Sequence, residues 1–277
     1  MIISVASGKG GTGKTTVSVN LALSLTNVQL LDCDVEEPNA HLFIKPEIKN
    51  TVPVYIPIPQ IDKEKCDFCG RCQEVCAYNA LVVIKDKVLV FPELCHGCGS
   101  CTYFCPKEAI KEVDKEIGCV EIGEKDSLQF AHGQLNIGQA MSPPLIRTVK
   151  QYANPSRTVI IDAPPGTSCP VIESIKGSDF CILVSEPTPF GLNDLKLAVE
   201  VLRKMKIPFG LVLNRADIGD EKTDAYCQKE NVPILMRIPF KKEIASCYSR
   251  GENIVGALPE YKEKFEKLYK DIVRCRT

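Results

Sequence analysis

Two stretches of this chain hold residue types at spacings that can do chemistry. The first, SGKGGTGKTT at residues 7–16, fits the pattern G-x-x-x-x-G-K-[ST] with Gly8, Gly13, Lys14 and Thr15 in the fixed places. Glycines in such a loop let backbone N–H groups close around phosphate oxygens, the lysine reaches the β and γ phosphates, and the hydroxyl after it ligates Mg2+. Gly8, Lys9, Gly10, Gly11, Thr12, Gly13, Lys14, Thr15 and Thr16 are therefore the candidate nucleotide contacts, and Lys9 is a second lysine that the pattern does not require. The second stretch holds eight of the fifteen cysteines in two blocks, Cys66, Cys69, Cys72, Cys76 and Cys95, Cys98, Cys101, Cys105. Both blocks space their thiols C-x2-C-x2-C-x3-C, and each cysteine lies 29 positions from its counterpart, so the segment is an internal repeat of metal-ligating type.

These residues need a frame. Residues 2–5 (IISV) predict a strand, the Gly-rich loop follows, and TTVSVNLALSLT continues as a helix with Val17, Leu21 and Ala22 on one face. VQLLDCDV predicts a second strand ending at Asp32 and Asp34; TVIIDAPPG, CILVSEPT and FGLVLNRAD predict three more, and LIRTVKQYA a helix between. Near-continuous Val/Ile/Leu strands alternating with helices indicate an α/β fold with a mostly parallel sheet buried on both faces. Asp162 closes its strand at the sheet's C-terminal edge and suits the carboxylate that holds Mg2+ through water. HGQLNIGQAMSPP (132–144) reads as irregular, and Val82–Ile84 with Val88–Val90 as a short hairpin. Sheet-forming segments lie on both sides of the cysteines, so the expected organisation is a P-loop ATPase domain in two parts, 1–60 and 117–277, interrupted by a small α+β insert at 61–116.

Composition narrows the partners. A net charge of −1 gives no global field for nucleic acid or anionic lipid, and no nucleic acid partner is expected. The five apolar residues at the start read as a buried strand and not a signal peptide, which places the chain in the cytoplasm with thiols reduced or metal-bound. In YKEKFEKLYKDIV, Tyr261, Phe265, Leu268, Tyr269, Ile272 and Val273 form one helical stripe. Its width and mixed charge favour core packing over a membrane foot. The seven scattered cysteines (Cys33, Cys119, Cys169, Cys181, Cys227, Cys247, Cys275) lack ligand spacing and are expected mostly as small buried residues.

The two cysteine blocks resemble bacterial two-cluster ferredoxins, in which such a run gives three thiolates to one 4Fe-4S cluster and the fourth to the other. The resemblance implies one cluster on Cys66, Cys69, Cys72 and Cys105 and a second on Cys95, Cys98, Cys101 and Cys76. A pair of zinc sites is the alternative, but four ligands per zinc do not require this doubled, crossed spacing. So few apolar residues lie in the insert that the clusters should supply much of its stability.

KGGTGKTT, DCDVEEPN and IIDAPPGTSCP resemble the MinD/ParA/Mrp group of P-loop ATPases, which includes the nitrogenase iron protein. The resemblance implies an ATP-dependent homodimer in which Lys9 reaches across to the partner's bound phosphates, as an arginine finger does. It also implies that Asp34 orients the attacking water, that Asp32 is a supporting carboxylate near Mg2+, that Asn214 reads adenine and that Pro239 packs near the base. Cys169 corresponds to the region where the iron protein carries its subunit-bridging cluster cysteine, which makes it a metal candidate. The leading functional expectation is an ATPase, using ATP/ADP, Mg2+ and two 4Fe-4S clusters, that controls electron delivery to a partner metalloprotein. An iron-sulfur or metal carrier is the second, and a spatial positioning ATPase with structural clusters the third.

Overall fold

The computed structural model describes residues 1–275, Cys275 by its backbone alone, so the expectation for that thiol lies outside the described side chains. Eleven strands and eleven helices follow one another along these residues. The strands are β1 (Ile2–Ala6), β2 (Val28–Asp32), β3 (Glu47–Ile61), β4 (Leu81–Ile84), β5 (Lys87–Val90), β6 (Ile110–Lys125), β7 (Leu128–Leu135), β8 (Thr158–Asp162), β9 (Phe180–Ser185), β10 (Phe209–Asn214) and β11 (Ile234–Ile238). The helices are α1 (Lys14–Ser24), α2 (Ala40–Ile44), α3 (Arg71–Glu74), α4 (Ser100–Tyr103), α5 (Pro143–Gln151), α6 (Cys169–Ile175), α7 (Pro189–Met205), α8 (Lys222–Lys229), α9 (Lys242–Ser249), α10 (Ile254–Ala257) and α11 (Glu260–Cys275).

Nine strands form one sheet in the order β11-β10-β9-β1-β8-β2-β7-β6-β3. Those from β11 to β7 run parallel, and β6 and β3 add to the edge in antiparallel fashion. The central strands are apolar on both sides because helices cover both. On one face Ile3, Val5, Leu30 and Phe130 pack under Val17 and Leu21 of α1 and the α11 stripe Tyr261, Phe265, Leu268 and Ile272. On the other, Leu183 and Leu211 pack under α6 and α7, and Leu31 and Ile161 under α5. The α11 stripe is thus core, with Tyr269 partly buried against it and only Val273 of the six exposed. No described helix is long and apolar enough to cross a membrane.

The segment expected to be irregular is a strand over its first part. β7 includes His132–Leu135 and pairs in parallel with β2 and antiparallel with β6, so tertiary pairing overrides a sequence rich in glycine and polar groups.

β6 pairs with β7 only from Gly118 to Lys125, whereas residues 110–116 pair with β3 alone, and Ile117, bulged out of that ladder, accepts from the Asn136 amide at 2.8 Å. Because Gly118 sits opposite Leu135, the last residue of β7, the remainder of β6 and β3 continues past the C-terminal edge of the sheet. The seven paired residues from Tyr55 to Ile61, at about 3.3 Å each, carry this two-stranded ribbon roughly 23 Å beyond the sheet. Its tip holds the cysteine blocks between residues 62 and 109, and Ile61 and Glu116, the expected ends of the insert, fall within its strands. The ladder is regular from Tyr55 to Ile61, with a bulge at Ile117 where the ribbon meets the sheet, and such a ladder is a stiffer support than two loops would be.

Candidate functional site

The loop between β1 and α1 closes one end of a cavity of about 450 Å3. Gly10, Gly11, Gly13, Lys14, Thr15 and Thr16 line it, and the buried Lys14 begins the helix. Gly13 has φ 96°, and a Cβ there would stand 2.5 Å from Asn214 Nδ2, so both backbone conformation and space demand glycine. Asn214 donates that amide to the Thr12 carbonyl at 2.8 Å, which ties the end of β10 to the loop. A Cβ on Gly8 would meet the Asp194 carbonyl at 2.3 Å, so α7 presses on the loop from behind.

Lys9 does not line the cavity. Its Nζ lies 3.7 Å from Glu186 Oε2, and Arg215 meets Oε1 of the same buried carboxylate at 2.9 Å. The Arg215 guanidinium also sits 5.6 Å from the Phe240 ring centroid. Pro239, Phe240, Lys241 and Tyr248 form the far wall with Asn214 and Arg215, a mixed apolar and cationic surface suited to a base and its phosphates.

Two buried carboxylates, Asp162 and Asp32, end the strands β8 and β2, and a third, Asp34, lines the cavity. Asp162 is fully buried, and neither of its oxygens has a hydrogen-bond partner. The neighbouring Ser18 hydroxyl donates instead to the Lys14 carbonyl at 3.0 Å. Burial pushes Asp162 up to about 6, with Lys14 and then the Thr15 and Ser18 hydroxyls opposing the shift. Two orphaned oxygens beside the Thr15 hydroxyl are the donor set a hard dication would satisfy, so these residues fit Mg2+. Asp32 pairs with Asp162 across the strands, but its oxygens accept from the amides of Asp34 (3.0 Å), Asn39 (3.2 Å) and Ala40 (3.0 Å). It holds the loop after β2, and burial, then the Asp162 charge, raises its pKa well above the ordinary range. That loop places Asp34 in the cavity wall, where burial pushes it up to about 7 against the pull of Lys14.

The lobe at the ribbon tip repeats itself. Gly70 (φ 81°) and Gly99 (φ 73°) begin the matching turns α3 and α4, and Cys76 Sγ and Cys105 Sγ accept from the amides of Ala80 (3.2 Å) and Ala109 (3.3 Å). The strands β4 and β5 pair as a hairpin. The eight thiols divide between two small cavities, one lined by Cys66, Cys69, Cys72 and Cys105, the other by Cys76, Cys95, Cys98 and Cys101. Each set takes three thiols from one block and the fourth from the other. Among the described residues no three His, Cys, Asp or Glu side chains converge on a single-ion site. Burial pushes the thiols of Cys72, Cys95 and Cys101 up, and a bound metal group would supply the missing counter-charge. The chemistry and placement of these donors fit clusters.

Of the scattered thiols, Cys33, Cys181, Cys227 and Cys247 are buried, Cys119 is half-buried, and Cys169 is exposed at the start of α6. Sequence reasoning missed Glu186, Arg215, Phe240 and Tyr248. Phe240 directly follows Pro239 and Arg215 directly follows Asn214, so both were findable as neighbours; Glu186 and Tyr248 come to the site only through the fold.

A model of the CobQ/CobB/MinD/ParA nucleotide binding domain matches residues 3–254. The uncharacterized protein MJ0579 of Methanocaldococcus jannaschii is 32% identical over 267 residues, spanning 92% of this chain and 91% of its own. The iron-sulfur cluster carrier protein of Pyrococcus horikoshii is 27% identical over 276 residues, spanning 91% of this chain and 78% of its own. Among solved structures, the septum site-determining protein MinD of Pyrococcus horikoshii, complexed with Mg-ADP, aligns with a TM-score of 0.61 at 21% identity, covering 98% of this chain and 95% of that one. The last likeness concerns the fold alone.

Proposed function

The chain belongs to the CobQ/CobB/MinD/ParA family of nucleotide-binding domains, and from that premise we propose that it is an ATPase whose nucleotide state controls a ferredoxin module at 61–116. The observation that carries this reading is the shared direction of the two sites: the ribbon bearing both four-thiol cavities rises from the same sheet edge as the nucleotide cavity. Two 4Fe-4S clusters in those cavities would supply one-electron storage at low potential.

The protein's own groups divide the work of hydrolysis. Lys14 and the amides of residues 8–16 hold the phosphates, Thr15 and Asp162 hold Mg2+, and Asp34 orients the water. Asn214, Pro239 and Phe240 hold the base. Lys9 acts across a homodimer, and its present partner Glu186 keeps it near the edge of its own site until a second subunit offers phosphate charge. Electrons would leave to a partner metalloprotein docking on the lobe.

The test is reduction of the clusters in the anaerobically loaded chain, followed by EPR without nucleotide, with ADP, and with a non-hydrolysable ATP analogue and Mg2+. Coupling of about 1–3 kcal/mol shifts a one-electron potential by roughly 40–130 mV. Potentials unmoved by nucleotide refute the electron-transfer reading.

The name of the Pyrococcus horikoshii relative favours a second reading, in which the chain carries an iron-sulfur cluster to an acceptor. Clusters that stay on the protein through ATP turnover beside an apo-acceptor exclude it.

A further inference from the structure

One rung of the sheet carries ionisable side chains on four adjacent strands. Asp162 of β8 pairs with Asp32 of β2, Asp32 with His132 of β7, and His132 with Glu121 of β6. Residues paired directly across strands point to one face, so the row runs from the nucleotide cavity to the strand that becomes the ribbon. His132 is 3% exposed, and its Nε2 lies 2.8 Å from Glu121 Oε2. An ionised carboxylate only accepts, so the imidazole N–H donates.

The loop after β2 is bound to the same place. Asp32 anchors its amides, and it leads into α2, whose His41 ring stands edge-on to His132 with centroids 4.9 Å apart. The Leu135 amide donates to the Val35 carbonyl at 2.9 Å. A Cβ on Gly133 would stand 2.6 Å from Val35 Cγ1, so only glycine lets β7 and the loop approach this closely.

We propose that His41, His132 and Glu121 are positioning residues that tie the Asp34 loop to β6, so that closure of this loop on a bound nucleoside triphosphate is transmitted along the ribbon to the cysteine lobe. The proposal rests on the reading of the P-loop cavity as the nucleotide site. A triphosphate and its dication in this cavity would meet Asp34 in its wall, and would favour the loop arrangement that suits them. Val35 and His41 couple the loop to β7, and β7 is coupled to β6 by its backbone ladder and, on the face that meets α2, by the His132–Glu121 pair. A histidine that merely satisfies a buried polar site predicts no such link.

Hydrogen–deuterium exchange on the full, cluster-loaded chain tests it, with and without Mg2+ and the triphosphate analogue ATPγS. In the wild type, exchange should slow by about fivefold or more, the low end of ordinary site-to-site coupling, in both the loop at 33–40 and the ribbon amides of 110–117. Glu121→Ala removes the acceptor at a half-buried position, and His132→Phe keeps the ring and loses the N–H. Either variant should keep loop protection and lose ribbon protection. Glu121→Gln, which still offers an oxygen, should restore it. Ribbon protection equal to wild type in both disruptive variants, or absent from the wild type, overturns the relay, as does failure of Glu121→Gln to restore it. Ribbon protection with unmoved cluster potentials sustains the relay and sinks the electron-transfer reading. Shifted potentials without ribbon protection do the reverse.

Discussion

Replacing Asp162 with asparagine should make the nucleotide-free chain more stable while removing its hold on Mg2+. Asp162 has no exposed surface, both its oxygens lack partners, and burial pushes its pKa up to about 6 from 3.8. The fold therefore retains a proton that the unfolded chain releases, and stability falls as pH rises from about 4 to about 6, then levels. Two pH units correspond to about 3 kcal/mol at 1.36 kcal/mol per unit. That is an upper figure, because Asp32 shares the same rung and the pair titrates together. An isosteric neutral side chain should recover about 1–3 kcal/mol of this, which for a chain of this size raises the melting temperature by roughly 2–6 °C. Calorimetry at pH 8 without nucleotide or Mg2+ reads the gain, and the gain should shrink as pH is lowered toward 5. Adding Mg2+ and ADP should stabilise the wild type by mass action and the variant far less. An Asp162→Asn chain that melts below wild type at pH 8 without ligand would refute the argument that this carboxylate is held at the fold's expense for a cation.

Lys9→Ala should still bind ATP, since Lys9 lies outside the cavity wall, but stimulated turnover should drop by about 10^3-fold as for an arginine finger. Near-normal turnover removes the cross-dimer role. Cys76→Ser should lose the cluster framed with Cys95, Cys98 and Cys101, so its EPR spectrum should match that of Cys98→Ser and not that of Cys69→Ser. The opposite match would show that each block keeps its own fourth thiol.

The P-loop and the thiol blocks were legible because each is written in a few consecutive residues whose spacing is itself the chemistry. The parallel sheet was legible in β1, β8, β9 and β10, whose apolar runs have no other use. β7 was not, because Gln129, His132, Gly133 and Gln134 look like a loop until β2 and β6 flank them. The ribbon was hidden for a related reason. KEVDKEIG, with charges at 111, 112, 114, 115 and 116, lacks the apolar alternation of a half-buried strand, yet it forms a ladder because a two-stranded ribbon outside the sheet has little core to fill. Glu186 under Lys9 is an encounter between segments far apart in the chain, and Glu121 under His132 comes from a β6–β7 hairpin whose second strand was not foreseen, so no local pattern announces either.

The solitary ribbon also leaves a long free edge, since β3 closes the nine-stranded order with β6 as its only neighbour. Such an edge is a template for other chains, a route to aggregation. Pro53, Pro57 and Pro59 interrupt it, and proline is tolerated in a ladder where its missing N–H faces away from the paired strand. The donors absent are thus those an incoming strand would need. Whatever docks along this edge of the ribbon must recognise it through side chains, because the backbone of β3 has been made a poor partner.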